Sequence, residues 1–242
     1  MSLVAKNIEI SFSREKSTQI LHKAISIQVQ NKDICLLAGA NGVGKSLLLK
    51  TLIGINPLLN GEILIDGEKY TNNKTQSGLI SYLSAASPSV ELMSVLEVVL
   101  SAQRNQSWFG KETALITQKA KSELNFCGVK HLSEASFSKL SDGEKQKVML
   151  ARSLFQNTKY VLLDEPTAFL DYPSKVEFWE LIRKRSVMNN QGFLVCSHDL
   201  HVALPRVDRM YLLRKDGMKE YVKKFVEGSN LLKNIIDERS ND

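Results

Sequence analysis

An unbroken apolar run, Ile34 to Ala38, leads directly into Gly39-Ala40-Asn41-Gly42-Val43-Gly44-Lys45-Ser46, whose last two residues open a largely apolar segment, Lys45 to Ile53. The first run has the character of a parallel strand covered on both faces, and the glycines that follow it demand a turn. Strand, glycine-rich turn and helix are therefore expected in that order. Gly54 is placed to close the helix, because it takes positive φ without a steric penalty. The pattern G-x-x-x-x-G-K-S has a direct chemical reading. Its glycines let consecutive backbone N–H groups turn inward as an anion nest, and the helix N-terminus adds positive potential. Lys45 then reaches the outer phosphates of a nucleoside triphosphate, while the Ser46 hydroxyl can ligate magnesium. Candidate phosphate-binding residues are thus Gly39, Ala40, Asn41, Gly42, Val43, Gly44, Lys45, Ser46 and the adjoining Leu47.

Tyr160-Val161-Leu162-Leu163 is another apolar strand, and it ends in two adjacent carboxylates, Asp164 and Glu165. In open α/β folds ligands bind at the carboxyl ends of strands, so both acids arrive where a phosphate would sit. Asp164 is the candidate second metal ligand, directly or through water. Glu165 is the candidate that polarises an attacking water. By itself an Asp-Glu pair is a common loop feature; it gains meaning from the phosphate loop upstream.

The rest of the chain fits around these two strands. VAKNIEISFS and ILHKAISIQVQ read as strands, and GEILIDG alternates between bounding glycines. VLEVVLSAQ, ETALITQKAKSELNFCGV and SDGEKQKVMLARSLFQN have helical spacing, the last opening with Ser-Asp before its apolar period. Beyond them strand and helix alternate again: YVLLDEP, SKVEFWELIRKRS, FLVCSH, a short helix from Asp199, and RMYLLRK. Such alternation implies a parallel sheet with helices on both faces.

Leu140-Ser141-Asp142-Gly143-Glu144 lies at a helix start, ahead of the Asp-Glu strand. Alone it reads as ordinary helix capping. With the other motifs in this order, the sequence resembles the ATP-binding cassette family, whose signature reads LSGGQ at this place. The resemblance covers nearly the whole chain. It implies an α/β fold: a P-loop NTPase with a RecA-like parallel-sheet core, an N-terminal antiparallel β subdomain and an inserted α-helical subdomain. One domain, 1–242, is expected, with residues 1–86 and 158–242 as nucleotide-binding core and β subdomain and 87–157 as the helical part. The implied cofactors are ATP and Mg2+.

Further site residues come from the resemblance alone. Ser141 and Gly143 would contact the γ-phosphate of an ATP held by a second copy, so that two copies pair head to tail around two nucleotides. Asp171, in Ala168-Phe169-Leu170-Asp171, matches the loop that couples the two sites. His198 matches the histidine that holds the attacking water, although alone it would read as structural. Lys45, Glu165 and His198 form the implied catalytic set. Phe12 sits where the family carries an aromatic stacked on adenine; a core phenylalanine on an alternating strand fits it equally well. Integral membrane permease subunits would dock on the helical part, with a substrate-binding protein engaged indirectly. LSDGE, KVMLARSL, DEPTAFLD and Trp108-Phe109-Gly110 are most similar to importer ATPases for iron chelates, haem or vitamin B12. The implied place is the cytoplasmic face of the inner membrane.

Two departures from the family pattern stand out. Asp142 and Glu144 bring negative charge close to an incoming triphosphate, and Asp142 is tolerable if it points away and caps the helix. Ala85 stands where a magnesium-binding glutamine is usual, which leaves that role to Ser46, water, or a hydroxyl such as Ser84 or Ser87.

Composition excludes several other classes. Apolar stretches such as Leu92 to Leu100 fall short of the roughly 20 residues a bilayer crossing needs. A net charge of +6 is spread among interleaved acids and bases, which speaks against nucleic acid. Three scattered cysteines fit buried thiols better than a zinc site or a disulfide framework. No heptad run separates Ser46 from Ser141, which disfavours the rival reading of a cassette acting on ribosomes or DNA. A nucleotide-dependent regulatory module without real turnover stays open.

Overall fold

Every residue of the strand Ile34–Gly39 is buried, because the sheet it belongs to is covered on both sides. The computed structural model describes residues 1–14, 17–71, 78–84, 92–103 and 111–222. Its elements are β1 (Ser2–Arg14), β2 (Ser17–Gln30), β3 (Ile34–Gly39), α1 (Lys45–Leu52), β4 (Glu62–Ile65), β5 (Glu68–Lys69), β6 (Ile80–Leu83), α2 (Val95–Leu100), α3 (Lys111–Phe126), α4 (Asp142–Phe155), β7 (Tyr160–Asp164), α5 (Tyr172–Asn189), β8 (Gly192–Cys196), α6 (Leu200–Ala203), β9 (Arg209–Arg214) and β10 (Gly217–Val222). The larger sheet runs in the order β10-β9-β3-β8-β7-β6, and the smaller, antiparallel one β2-β1-β4-β5.

Period-2 alternation along β3 divides its side chains between two cores. Ile34, Leu36 and Ala38 face the helical side, among residues such as Leu150, Phe178 and Trp179. Cys35 and Leu37 face the antiparallel sheet and α1, among Ile8, Ile27 and Leu48. The phosphate loop leaves β3 where these two layers meet.

The sheet is parallel, as alternation predicts, except at one edge. β10 runs antiparallel to β9, since Lys215 and Asp216 form a tight turn too short for a crossover. β5, β6 and β10 are additions to the sequence reading; all three are edge strands, or short, and their pairing partners rather than their own patterns define them. Gly54 closes α1 as expected: it has φ 74°, its N–H donates to Thr51 O, and Ile55 N–H donates to Lys50 O.

α2, α3 and α4 pack on one another as the inserted helical subdomain. It is tied to the sheet layer by ion pairs to α5. Lys147 Nζ lies 2.8 Å from Glu177 Oε2, and Arg185 pairs with Glu123 while stacking 4.2 Å from the Phe126 ring centre. Burial draws the Arg185 guanidinium down to about 10. Cys35, Cys127 and Cys196 are all buried thiols, in line with their scattered spacing. Among the described residues, no helix is long and apolar enough to cross a membrane.

Candidate functional site

β3 delivers its carboxyl end to a turn that only glycine can make at two points. Gly39 has φ 153°, and a Cβ there would lie 2.4 Å from Leu213 O on β9. Gly44, at φ 110°, would put a Cβ 2.7 Å from Leu21 Cδ2. α1 then begins with Gly44 as its N-cap, no capping side chain and no acid in its first turn. Gly44 thus offers no side chain to cap the leading N–H groups, a helix start that favours an anion. Lys45 folds back over the loop: its Nζ donates to Gly39 O at 3.0 Å and to Ala40 O at 2.9 Å. Ser46, next along, is exposed.

β7 and β8 bring the acids alongside. Asp164 ends β7 opposite Cys196 and is 3% exposed. Its Oδ2 accepts a hydrogen bond from Tyr82 Oη at 3.1 Å, and its Oδ1 is buried with no partner among the described residues. A buried carboxylate oxygen so placed is costly unless something cationic satisfies it, so the donor set of Asp164 and Ser46 fits a hard divalent cation. Burial first, and then the Asp164 carboxylate, hold the Tyr82 phenol well above its ordinary value.

Glu165 leaves the strand at φ 49°, in the left-handed region, a conformation that costs a non-glycine residue on the order of 1–3 kcal/mol and is found at functional sites. Glu165 N–H donates to Cys196 O at 3.0 Å, which anchors the turn. The carboxylate accepts from His198 Nε2 at 2.9 Å and from Cys196 Sγ at 3.6 Å. Because Nε2 gives its hydrogen to Glu165, its 3.5 Å approach to Lys45 Nζ is a contact and not a second hydrogen bond. Burial and the nearby Glu165 charge push the Cys196 thiol up. Lys45, Glu165 and His198 thus meet at one point beside the phosphate loop.

The family described as ABC transporter matches residues 22–168. The chain belongs to this family. Among ABC transporter relatives, a hemin import ATP-binding protein of Hahella chejuensis is 34% identical over 84% of this chain and 80% of its own length. A zinc import ATP-binding protein of Magnetococcus marinus is 28% identical over 80% of this chain and 68% of its own. The solved dimeric structure of a bacterial ABC transporter cassette superposes with a TM-score of 0.78 at 21% identity, covering 91% of this chain and 98% of that one. The expected P-loop fold is thereby established.

The residues expected to meet a second copy's nucleotide lie at the starts of α4 and α5. Ser141 is the N-cap: its Oγ accepts from Glu144 N–H at 3.4 Å and donates to Glu144 Oε2 at 2.7 Å. Asp142, tolerable on the sequence reading if it points away and caps the helix, lies in the first turn, where its charge favours the helix N-terminus, but does not hold the N-cap position. It is the first helical residue, its side chain 70% exposed and 3.9 Å from Lys145 Nζ, since the β-region backbone of Ser141 already holds the cap position. Gly143 faces Leu170, and Asp171 caps α5 by accepting from Ser174 N–H at 3.0 Å.

A cavity of about 370 Å³ opens over the phosphate loop, lined by loop residues 40–43 with Leu21, His22 and Lys215. Phe12, half-buried on β1 opposite Gln19, is not among those lining residues. Ala85, Ser87 and Trp108 to Gly110 lie outside the described residues; Ser84, just after β6, is exposed. Sequence reasoning assigns no site role to Tyr82, Cys196 or His22. Each works through a contact made across strands, and the one available hint for His22 was an imidazole in the otherwise apolar alternation of ILHKAISIQVQ.

Proposed function

We propose that this chain is the ATP-hydrolysing subunit of an importer, that it works as a head-to-tail pair, and that it docks on membrane permease subunits at the cytoplasmic face of the inner membrane. Residues 1–86 and 158–242 bind nucleotide, and 87–157 receive the permease. The observation that carries the reading is the meeting of Lys45, Glu165 and His198 beside an uncapped helix N-terminus.

In this reading the loop N–H groups from Gly39 to Ser46 cradle the β- and γ-phosphates, with Ala40, Asn41, Val43 and Leu47 shaping the turn. Lys45 neutralises charge developing on the γ-phosphoryl group. Glu165 accepts the proton of the attacking water, and His198, bonded to the same carboxylate, fixes its direction. Ser46 and Asp164 hold magnesium, which when bound supplies charge neutralisation across the phosphates. Ser141 and Gly143 of a second copy close over the nucleotide and exclude water, Asp171 couples the two sites, and Phe12 flanks the base. The names of the hemin and zinc relatives support a metal-containing cargo, of iron-chelate, haem or cobalamin type, delivered by a substrate-binding protein. Nucleic acid is not a partner.

Purified protein with magnesium should bind ATP, pair and hydrolyse it, and native protein should co-purify with a polytopic membrane protein. Lys45→Ala should reduce ATP turnover by roughly 10²-fold or more. Wild-type protein with no ATP affinity, or recovery with ribosomes, would overturn the reading.

A further inference from the structure

Opposite the phosphate loop, β2 carries one residue more than β1. Ile10 pairs with His22 and Ser11 with Ile20, which leaves Leu21 as the extra residue of a bulge. Bulges bend a strand and re-aim its side chains. Here both bulge neighbours press on the loop. Leu21 Cδ2 packs where a side chain on Gly44 would have to go, and the His22 ring lies beside it, its Cδ2 3.5 Å from the same point.

His22 is only 5% exposed, and its Nε2 lies 2.6 Å from Val43 O. A carbonyl oxygen only accepts, so Nε2 carries the hydrogen and donates it. The consequence reaches the next residue. In a trans peptide the C=O of one residue and the N–H of the next point in opposite directions. Drawing the Val43 carbonyl outward to His22 turns the Gly44 N–H the other way. Gly44 is the N-cap of α1, and its φ of 110° is a conformation that glycine takes without a Cβ penalty.

We infer that His22 is a positioning residue for the nucleotide: by holding Val43 C=O, it aims the Gly44 N–H into the nest that receives the triphosphate. The inference rests on the ATP-binding reading above and deepens it, since nothing in the family pattern of the loop itself supplies this bond. His22 touches the loop and acts through it, not on the reacting atoms.

The test compares wild type with His22→Leu, which fills the space without a donor, and His22→Gln, whose amide N–H can make the same bond. Mg·ATP affinity, KM, saturated turnover and Tm are measured on each. Losing a buried hydrogen bond to the loop should raise Kd and KM about tenfold in His22→Leu. Saturated turnover should stay within about twofold, and His22→Gln within about threefold of wild type in KM. A His22→Leu protein with lowered Tm but unchanged Kd and KM would make His22 a packing residue only and overturn the inference. If His22→Leu does not fold, nitrogen-15 NMR of wild type decides. The Nε2 hydrogen should stay protected from exchange when Mg·ATP binds, and free exchange in the bound state overturns the proposal. Absence of ATP affinity in wild type would sink the functional reading and this inference together.

Discussion

In the proposed reading two helix N-termini meet phosphate, and they are built in opposite ways. α1 starts with a glycine, has no capping side chain and no acid in its first turn. α4 starts with a complete capping box, in which Ser141 and Glu144 satisfy each other's N–H groups. α2 repeats that closed design with Ser94 and Glu97, and α5 is closed by Asp171. Orphan N–H groups at a helix start are a cost unless something accepts from them, so evolution of an ordinary helix fills them. The four-residue α6 also lacks a side-chain cap, so the open start of α1 is compatible with a ligand that fills it rather than proof of one. α4 needs no ligand to be satisfied, so any nucleotide that engages Ser141 has to compete with Glu144. On the proposed reading the first half of the site is therefore preformed, and the second half is latched.

The most damaging way to test the open end is to disable its chemistry while leaving it loaded. Glu165→Gln keeps the hydrogen-bond acceptor for His198 and removes the basic carboxylate. Turnover should fall by roughly 10²-fold or more, while ATP binding and ATP-driven pairing persist. Single-turnover hydrolysis and size-exclusion chromatography with Mg·ATP measure both halves of that statement. Normal turnover would remove Glu165 from its role.

The latched end calls for a gentler change. Glu144→Gln keeps a side chain able to complete the capping box but removes the negative charge beside the incoming triphosphate. ATP-driven pairing should tighten by about fivefold, the scale of one unit charge near phosphate in water. Sedimentation across an ATP titration reads this. Pairing that is unchanged or weaker would mean that Glu144 swings clear of the nucleotide and the latch is nominal.

The same contrast explains what could be read from sequence. The open end was legible because its chemistry is contiguous: a buried strand, glycines, Lys45 and Ser46 follow one another without a break. Asp164 and Glu165 were legible for the same reason, an apolar strand ending in acids. What escaped is chemistry made across strands. Tyr82 reaches Asp164 from β6 and His22 reaches Val43 from β2, and no spacing rule links residues whose proximity exists only once the sheet order is set. β10 escaped because an edge strand owes its existence to β9 more than to its own half-exposed pattern. At α4 the sequence signalled a cap but not which residue made it. Ser141 and Asp142 are both good N-caps, and backbone geometry alone chose Ser141.

The smallest expected effect is also the most direct reading of the latch. Hydrogen bonds from the Ser141 hydroxyl and then from its backbone N–H hold the Glu144 carboxyl below the usual glutamate value. A carboxyl lowered in the folded state contributes stability above its ordinary titration range, and that contribution is lost as pH falls through the lowered value. Carbon-13 titration of Glu144 should therefore show a depressed midpoint in the isolated protein, moving back up in Ser141→Ala. That variant should also lose about 1 kcal/mol of stability with its N-cap. Pairing around ATP gives the decisive comparison. If a second copy's γ-phosphate takes over the Ser141 hydroxyl, Glu144 loses its first donor and its midpoint rises in the nucleotide-bound pair even without mutation. A midpoint that stays depressed in the pair would show that the capping box never opens, and that the N-terminus of α4 meets nucleotide through its backbone alone.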